Sequence, residues 1–275
     1  MMEPDPDELR PHGAIAARLV PLRPAPARAD ALRCGVLERV RRSALAHREY
    51  VTVRREDGEA HPGAGGTTSR TLWASARMRV EIVRLDAGAA LPWPADATAQ
   101  ELLVLDGALT GAGAQPVGRH AYGVRQRGEG DAPLRAVGAV GASTVYVRQR
   151  LVEPRHLPAL EARWWGLASP SARWVDPSRR RWAQTSPGVE VLSLRGDRDV
   201  VSMLVRFAPG AAVADHHHAL DEDCLVLEGE MFLGDILLRT GDYQLAPAGG
   251  SHFGECSDVG VLFFFHGALD PVLRG

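Results

Sequence analysis

The chain has 275 residues but no lysine and no asparagine, and arginine supplies all 32 of its Lys-plus-Arg residues. We interpret this bias as a property of a GC-rich genome and not as chemistry. Acidic residues number 34, so the formal charge is only −2. A chain without an excess of one charge has no general attraction for nucleic acid or for anionic membranes. Direct binding of nucleic acid is therefore not expected.

Long apolar runs and cysteine frameworks are also missing. The longest apolar runs, such as Val261 to Phe265, fall far below the roughly 18 residues that a membrane-spanning helix needs. The first eight residues carry acid, whereas a secretory signal begins with a basic segment. Cys34, Cys224 and Cys256 are odd in number and lack the spacing of a disulfide framework. Together these absences predict a cytoplasmic protein that contacts no membrane.

The N-terminal part of the chain is predicted to hold one helix. Residues 1–29 are rich in Pro, Ala and Arg, which predicts an extended arm. Asp30 is suited to capping an amphipathic helix over about 30–48. Its apolar stripe consists of Leu32, Val36, Leu37, Val40 and Ala44. We expect this stripe to pack against the rest of the chain, and binding of a partner is the alternative.

Beyond residue 50, short β-rich runs separated by Gly and Pro predict an all-β fold. A shift of 122 residues aligns residues 83–107 with residues 205–229 without a gap, which predicts two copies of one β domain in tandem. The predicted segments are an N-terminal arm and helix (1–50), a degenerate first domain (51–150), a linker (151–185) and a metal-binding second domain (186–275). The linker is rich in Trp, which we expect to pack against the domains.

The second copy contains a candidate metal site. His216 and His218 leave the same face of a strand with period 2, and Glu222 has the same parity. His217 has the opposite parity and should point away. His252 is the only plausible fourth ligand nearby, and it would arrive from a neighbouring strand. Imidazole nitrogens with one carboxylate suit Zn, Fe, Mn, Ni or Cu better than Mg or Ca.

The first copy has lost this ligand set. The residues that align with the four candidate ligands are Pro94, Asp96, Gln100 and Asp131. Proline has no side-chain ligand atom, and the other three would form a weak set of oxygen donors. Glu101 is one residue out of phase and does not replace a ligand. We expect no transition metal in residues 51–150, and the first domain is either structural or binds a partner or an organic ligand.

The ligand spacing resembles the two motifs of the cupin superfamily position for position. The two patterns are Gly210-x5-His216-x-His218-x3-Glu222-x6-Gly229 and Gly241-x5-Pro247-x-Gly249-x2-His252. Only the terminal Asn of the second motif is absent, and Cys256 takes its place. The resemblance implies tandem antiparallel jelly-roll barrels with a metal inside the mouth of the C-terminal one. We expect one divalent transition metal there, with zinc favoured and iron, manganese or nickel as alternatives.

The layout of helix, degenerate cupin, Trp-rich linker and metal-competent cupin resembles the ChrR-type cupin anti-sigma factors. That group holds an extracytoplasmic-function sigma factor inactive and releases it under oxidative or related stress. The resemblance implies a regulatory or sensory protein with a small-molecule ligand in its C-terminal barrel and a sigma factor as a partner. The zinc module of the group, His-x3-Cys-x2-Cys, is missing, because Cys34 is the only N-terminal cysteine.

Other functions stay open from the sequence. Related cupins include Fe(II)-dependent dioxygenases that act on small organic substrates, and here the same four ligands would hold the iron. No further catalytic residue is assigned, and a third alternative is a storage or assembly protein with a structural metal. Cys224 and Cys256 share the parity of the ligands, so we expect both to face the barrel lumen as core residues, with redox sensing as the alternative. A homodimer is also left open.

Overall fold

A computed structural model describes residues 24–111, 115–127, 137–167 and 174–270 of the chain. Asp131, which the repeat aligns with His252, lies outside the described residues, as do residues 1–23 of the predicted arm. Internal contacts divide the chain into two units at residues 45 and 46, and each unit is described separately. None of the described helices combines the length and the hydropathy that crossing a membrane requires.

The predicted N-terminal helix is present, and it begins earlier than expected. Helix α1 (Pro26–Glu49) starts four residues before Asp30, so Asp30 does not cap it. A proline is tolerated in the first turn because the backbone N–H groups there have no partner within the helix. Exposed Glu38 pairs with Arg41 at 3.0 Å, one turn along the helix. What the apolar stripe contacts stays a prediction.

The first barrel is formed by eight described strands. They are β2 (His61–Gly63), β3 (Thr67–Ala74), β4 (Met78–Leu85), β5 (Ala99–Asp106), β6 (Leu109–Gly111), β7 (Tyr122–Gln126), β8 (Val137–Ala139) and β9 (Ser143–Arg150), and they follow β1 (Val51–Val53) in the chain. Six of them form an antiparallel sheet in the order β2-β3-β4-β9-β5-β7, and β6 pairs with β8. The alternation of buried and half-buried residues along β4 reflects a sheet with one face on the core.

The second barrel contains the remaining strands. They are β10 (Ala183–Ser186), β11 (Val189–Gly196), β12 (Val200–Phe207), β13 (Ala211–Ala212), β14 (His216–His217), β15 (Glu222–Leu233), β16 (Ile236–Arg239), β17 (Tyr243–Ala246), β18 (Ser251–His252), β19 (Cys256–Ser257) and β20 (Val261–Ala268). Its main sheet has the order β17-β15-β20-β12-β11-β10. The predicted fold class, all-β with two tandem barrels and an N-terminal helical segment, is confirmed.

The repeat in the sequence is also a repeat in topology. The order β3-β4-β9-β5-β7 in the first barrel corresponds to β11-β12-β20-β15-β17 in the second. The register of β5 against β9 shifts between Val104 and Asp106, and that of β15 against β20 shifts at the equivalent Val226 and Glu228. Each bulge is followed by a glycine with a positive φ of 77°, Gly107 or Gly229. Both glycines are required, because a Cβ atom there would approach a backbone oxygen within 2.4 Å or less.

One strand crosses between the repeats. Strand β1 lies at the start of the predicted first domain, but it pairs antiparallel with β17 of the second barrel, with Val51 opposite Leu245. It therefore forms the edge of the second sheet. The predicted domain boundaries themselves stay predictions.

The linker supplies the centre of a core that both barrels share. A short helix, α2 (Ala159–Gly166), presents Trp164 and Trp165, and both side chains are fully buried. The two rings meet edge to face, with their centroids 4.7 Å apart. They pack in one apolar cluster with Tyr146 of the first barrel and Phe264 of the second. The prediction that linker tryptophans pack against the barrels is confirmed for this pair.

Candidate metal centre

Four side chains converge at the mouth of the second barrel. Strand β14 pairs with β18, so that His216 lies opposite His252. His218 follows β14 in the loop, and Glu222 is the first residue of β15. Each of the four offers one ligand atom, and these atoms all lie within 4.8 Å of one another. The structure thus brings together the four residues that the sequence selects.

The polar atoms of this cluster are buried and poorly satisfied. All four residues are at most 6% exposed. Both carboxylate oxygens of Glu222 and the Nε2 atom of His218 are buried without a hydrogen-bond partner among the described residues. The Nε2 atoms of His218 and His252 lie 3.5 and 3.7 Å from Glu222 Oε2. A buried carboxyl group without a donor is costly, so this arrangement fits a bound cation.

The electrostatics of the cluster follow from burial. Burial raises the pKa of Glu222 well above 4.5, and nearby Glu255 adds to the shift. Burial and the neighbouring His216 lower the pKa of His218 to about 4. Burial, with the other imidazoles, holds the pKa of His252 well below 6.5. The imidazoles are therefore neutral near pH 7, which is the form that binds metals.

The backbone orients the His216 ring, and the alternation of side chains along the strand turns His217 away from the site. His216 Nδ1 lies 3.0 Å from the carbonyl oxygen of Ala214. We assign the ring hydrogen to Nδ1, because a carbonyl can only accept, and this leaves the lone pair of Nε2 toward the site. His217 is exposed, and its Nδ1 atom lies 2.6 Å from Ser251 Oγ. The predicted outward orientation of His217 is confirmed.

Tyr50 covers the site, although the sequence analysis did not select it. Its hydroxyl group donates to the carbonyl oxygen of Ser251, next to His252. Its ring meets that of His252 edge-on, with centroids 5.3 Å apart. Burial raises the pKa of Tyr50 to about 12, so the hydroxyl stays protonated. No sequence signal marks this residue, because it lies about 200 positions before the motif that it contacts.

Glu255 is the second residue that the sequence analysis missed. Its side chain is buried, and its Oε2 atom lies 3.9 Å from His216 Nε2. Burial raises the pKa of Glu255 to about 7. A carboxyl three residues after His252 could have been noticed, but it does not share the parity of the ligands.

A cavity of about 210 Å³ opens beside His216 and Glu255 inside the second barrel. Its wall is formed mainly by apolar residues of β11, β12 and β20. These are Val189, Val191, Met203, Val205, Phe207, Phe263 and Phe265. The residue pair Thr185 and Ser186 of β10 completes one side. The barrel therefore holds space for a small molecule adjacent to the candidate metal site.

The predicted lumenal position holds for only one of the two cysteines. Cys224 is buried in the core of the second barrel, where burial raises its pKa well above 9. Cys256 is half-buried and does not belong to that core. The prediction for Cys256 was wrong because the chain between β18 and β19 is not a regular strand. Gly254 there has a φ of 63°, which breaks the alternation of period 2.

In the first barrel, the residues at the equivalent positions contact arginine side chains. Gln100, which aligns with Glu222, accepts a hydrogen bond of 2.6 Å from buried Arg125. Asp96, which aligns with His218, forms an ion pair of 3.0 Å with Arg79. Both oxygen donors are thus engaged by guanidinium groups.

Comparison with known proteins identifies the fold. Residues 170–270 match the family model of the ChrR Cupin-like domain. A candidate dioxygenase from Nostoc punctiforme superposes with a TM-score of 0.61 at 17% identity, covering 82% of this chain and 84% of that one. The oxalate decarboxylase of Lactobacillus farciminis gives 0.56 at 12% identity, covering 80% and 88%. That of Bacillus subtilis, whose Mn(II) centres are described, gives 0.53 at 15%, covering 80% and 77%.

Two barrels with a cluster of three histidines and one glutamate in the second define a bicupin. The chain has the cupin fold, and its second barrel resembles the ChrR cupin-like domain. Curated protein sequences give no match. The identities to the solved structures are all low, so these neighbours establish the fold alone.

Proposed function

We propose that the second barrel is a metal-dependent sensory domain and that His216, His218, Glu222 and His252 hold one divalent transition ion. The observation that carries this proposal is the buried Glu222 carboxyl, whose two oxygens have no hydrogen-bond donor among the described residues. Leaving such a group unpaired costs several kcal/mol, on the order of a lost charged hydrogen bond or more. A cation bound between Glu222 and the imidazoles removes that cost.

Zinc is the favoured ion, with iron, manganese or nickel as alternatives. Three imidazoles and one carboxylate can complete a tetrahedron around zinc, or leave positions open on an octahedral ion. When bound, the ion would supply a positive centre that attracts a polar group of a ligand. The chain's own contribution is to orient His216 through Ala214 and to shield His252 beneath Tyr50.

A regulatory role of the ChrR type is supported by the family match over residues 170–270. In this proposal the second barrel binds a small molecule in its cavity or responds to a redox signal. A cytoplasmic sigma factor is the partner. Cys34 is the only N-terminal cysteine, so binding of the sigma factor would not use the zinc module of that group. Helix α1, with its predicted apolar stripe, is the segment we propose for this contact.

Metal analysis of the untagged protein, purified without added metal, tests the site. We expect about one zinc ion per chain by plasma emission and loss of the ion in His252→Ala. His217→Ala is the matched control, because His217 is exposed and directed toward Ser251. This control should keep its metal. Iron or manganese with oxygen uptake on addition of a β-diketone would favour a dioxygenase, and no metal in the wild type would refute the site.

A further inference from the structure

The size of the cavity beside the site limits its ligand. An apolar protein cavity of about 150 Å³ accepts benzene. The cavity in the second barrel measures about 210 Å³, so it fits a molecule of about ten non-hydrogen atoms. This volume limits the part of a ligand that the barrel can enclose.

The side chains that line the cavity narrow the class of possible ligands further. Three phenylalanines, a methionine, four valines, two alanines and a leucine line the cavity. No arginine is among the described residues that line the cavity. A ligand that buries against this wall must therefore be mainly apolar, because a charged group would lose its hydration without a partner.

Among the described residues that line the cavity, Glu255 is the only one with a carboxyl group. Its side chain is buried, and no described residue donates a hydrogen bond to it. Its nearest charged or ionisable partner is His216 Nε2 at 3.9 Å, which is beyond hydrogen-bond distance. A hydroxyl or N–H group on the ligand would satisfy this acceptor.

The lining of the cavity also argues against an anionic ligand. An anion there would meet mainly apolar side chains, and no arginine among the described lining residues would compensate its lost hydration. Oxalate, on which two of the structural neighbours act by name, would bring two negative charges against this wall.

We propose that the second barrel binds a neutral, mainly apolar molecule of about ten non-hydrogen atoms that donates one hydrogen bond to Glu255. This inference rests on the proposed metal-dependent function and specifies its ligand class. Oxalate and other small anions are not ligands of this site.

Calorimetry with three matched probes tests the proposed ligand class. The protein used has a known metal content. The probes are 2-phenylethanol, which is neutral with a donor, ethylbenzene, which lacks the donor, and phenylacetate, which is anionic. We expect 2-phenylethanol to bind about tenfold more tightly than ethylbenzene, and phenylacetate and oxalate to bind more weakly than both. Equal affinities for 2-phenylethanol and phenylacetate, or tighter binding of oxalate, would overturn the proposal.

Two variants and one control locate the binding. Glu255→Leu should abolish the roughly tenfold preference for 2-phenylethanol over ethylbenzene, because the hydrogen-bond acceptor is removed. Glu228→Gln, at an exposed position of β15, should leave it unchanged. Met203→Trp should fill the cavity and abolish binding while the metal content persists. Persistent binding in Met203→Trp would refute this location.

The metal content of each sample separates the two proposals. Metal-loaded wild type that binds none of the probes would refute the ligand class and leave the metal site intact. Wild type without metal that still prefers 2-phenylethanol would refute the metal proposal and leave the ligand class intact.

Discussion

Glu101 and Asp223 occupy the same position in the two repeats, 122 residues apart, and both carboxylates face the Arg148 guanidinium group. Arg148 Nε lies 3.0 Å from Asp223 Oδ2, and Nη1 lies 3.6 Å from Glu101 Oε2. In β9, Arg148 is opposite Glu101, and in β20, His266 is opposite Asp223. The junction of the two barrels is thus built around one pseudo-symmetric set of buried ionisable groups.

The linker adds one more carboxyl group to this set of buried ionisable groups. Glu161 of α2 accepts a hydrogen bond of 2.8 Å from Arg148 and lies 3.2 Å from His266 Nε2. Ser202 and Tyr122 both donate to Glu101 Oε1. Three buried carboxyl groups therefore surround one arginine. Such a cluster forms only when the two barrels and the linker are docked together.

Removal of Arg148 should destabilise the protein strongly. We expect Arg148→Met to lower the free energy of unfolding by about 3–5 kcal/mol, because it leaves buried carboxylates without their cation. Urea denaturation measures the change. Arg163→Met is the matched control, since Arg163 pairs with Asp197 and Asp199 at the surface, and its loss should have little effect. Similar losses in the two variants would contradict the proposed role of Arg148.

The same cluster should make stability depend on pH through Glu161. Burial opposes its ionisation, but Arg148 and His266 outweigh this and hold the pKa of Glu161 well below 4.5. A carboxyl with a lowered pKa stabilises the fold above its unfolded pKa, and this contribution is lost as the pH falls.

The wild type should therefore exceed Glu161→Gln in unfolding free energy at pH 7, and the difference should shrink as the pH falls below 4.5. Urea titrations of both proteins across this range measure it. A difference that stays constant with pH would show that Glu161 acts through packing instead.

Tyr50 should support metal binding through its ring. Tyr50→Phe removes the hydrogen bond to Ser251 but keeps the contact with His252. We expect it to lower stability by about 1 kcal/mol and to preserve metal affinity. Tyr50→Ala should weaken metal affinity about tenfold by uncovering His252. Competition with a chelator measures both, and equal affinity in Tyr50→Ala would exclude a supporting role.

The three cysteines should react with iodoacetamide in the order of their exposure. Cys34 is exposed, Cys256 is half-buried and Cys224 is buried. Burial raises the pKa of Cys256 and, more strongly, that of Cys224, which lowers their thiolate fractions. We expect Cys34 to be labelled first and Cys224 only after unfolding, as measured by mass spectrometry. Rapid labelling of native Cys224 would instead support redox sensing.

The parts of the fold that the sequence predicts have local signatures. Gly107 and Gly229 recur at the same position because the turn after each bulge needs a positive φ. The candidate ligands were found because His216, His218 and Glu222 are close in sequence and share a parity. His252 required the further assumption that a neighbouring strand returns to the same face, and the pairing of β14 with β18 supplies it.

The parts that the sequence does not predict depend on distant contacts. Arg148 is one of 32 basic residues, and nothing near it in the sequence marks it as buried. Glu101 was set aside because it does not share the parity of the ligands. That same parity directs it toward the junction with the second barrel. Glu255 was missed because Gly254 interrupts the strand on which the parity argument depends.

The pairing of β1 with β17 has a consequence for biosynthesis. Residues 51–53 leave the ribosome long before residues 243–246, yet the second sheet is complete only when the two segments meet. Strand β1 must therefore stay available for a partner that is synthesised late. A fragment that begins at the predicted boundary of residue 186 would expose the edge of β17, and unpaired strand edges promote aggregation.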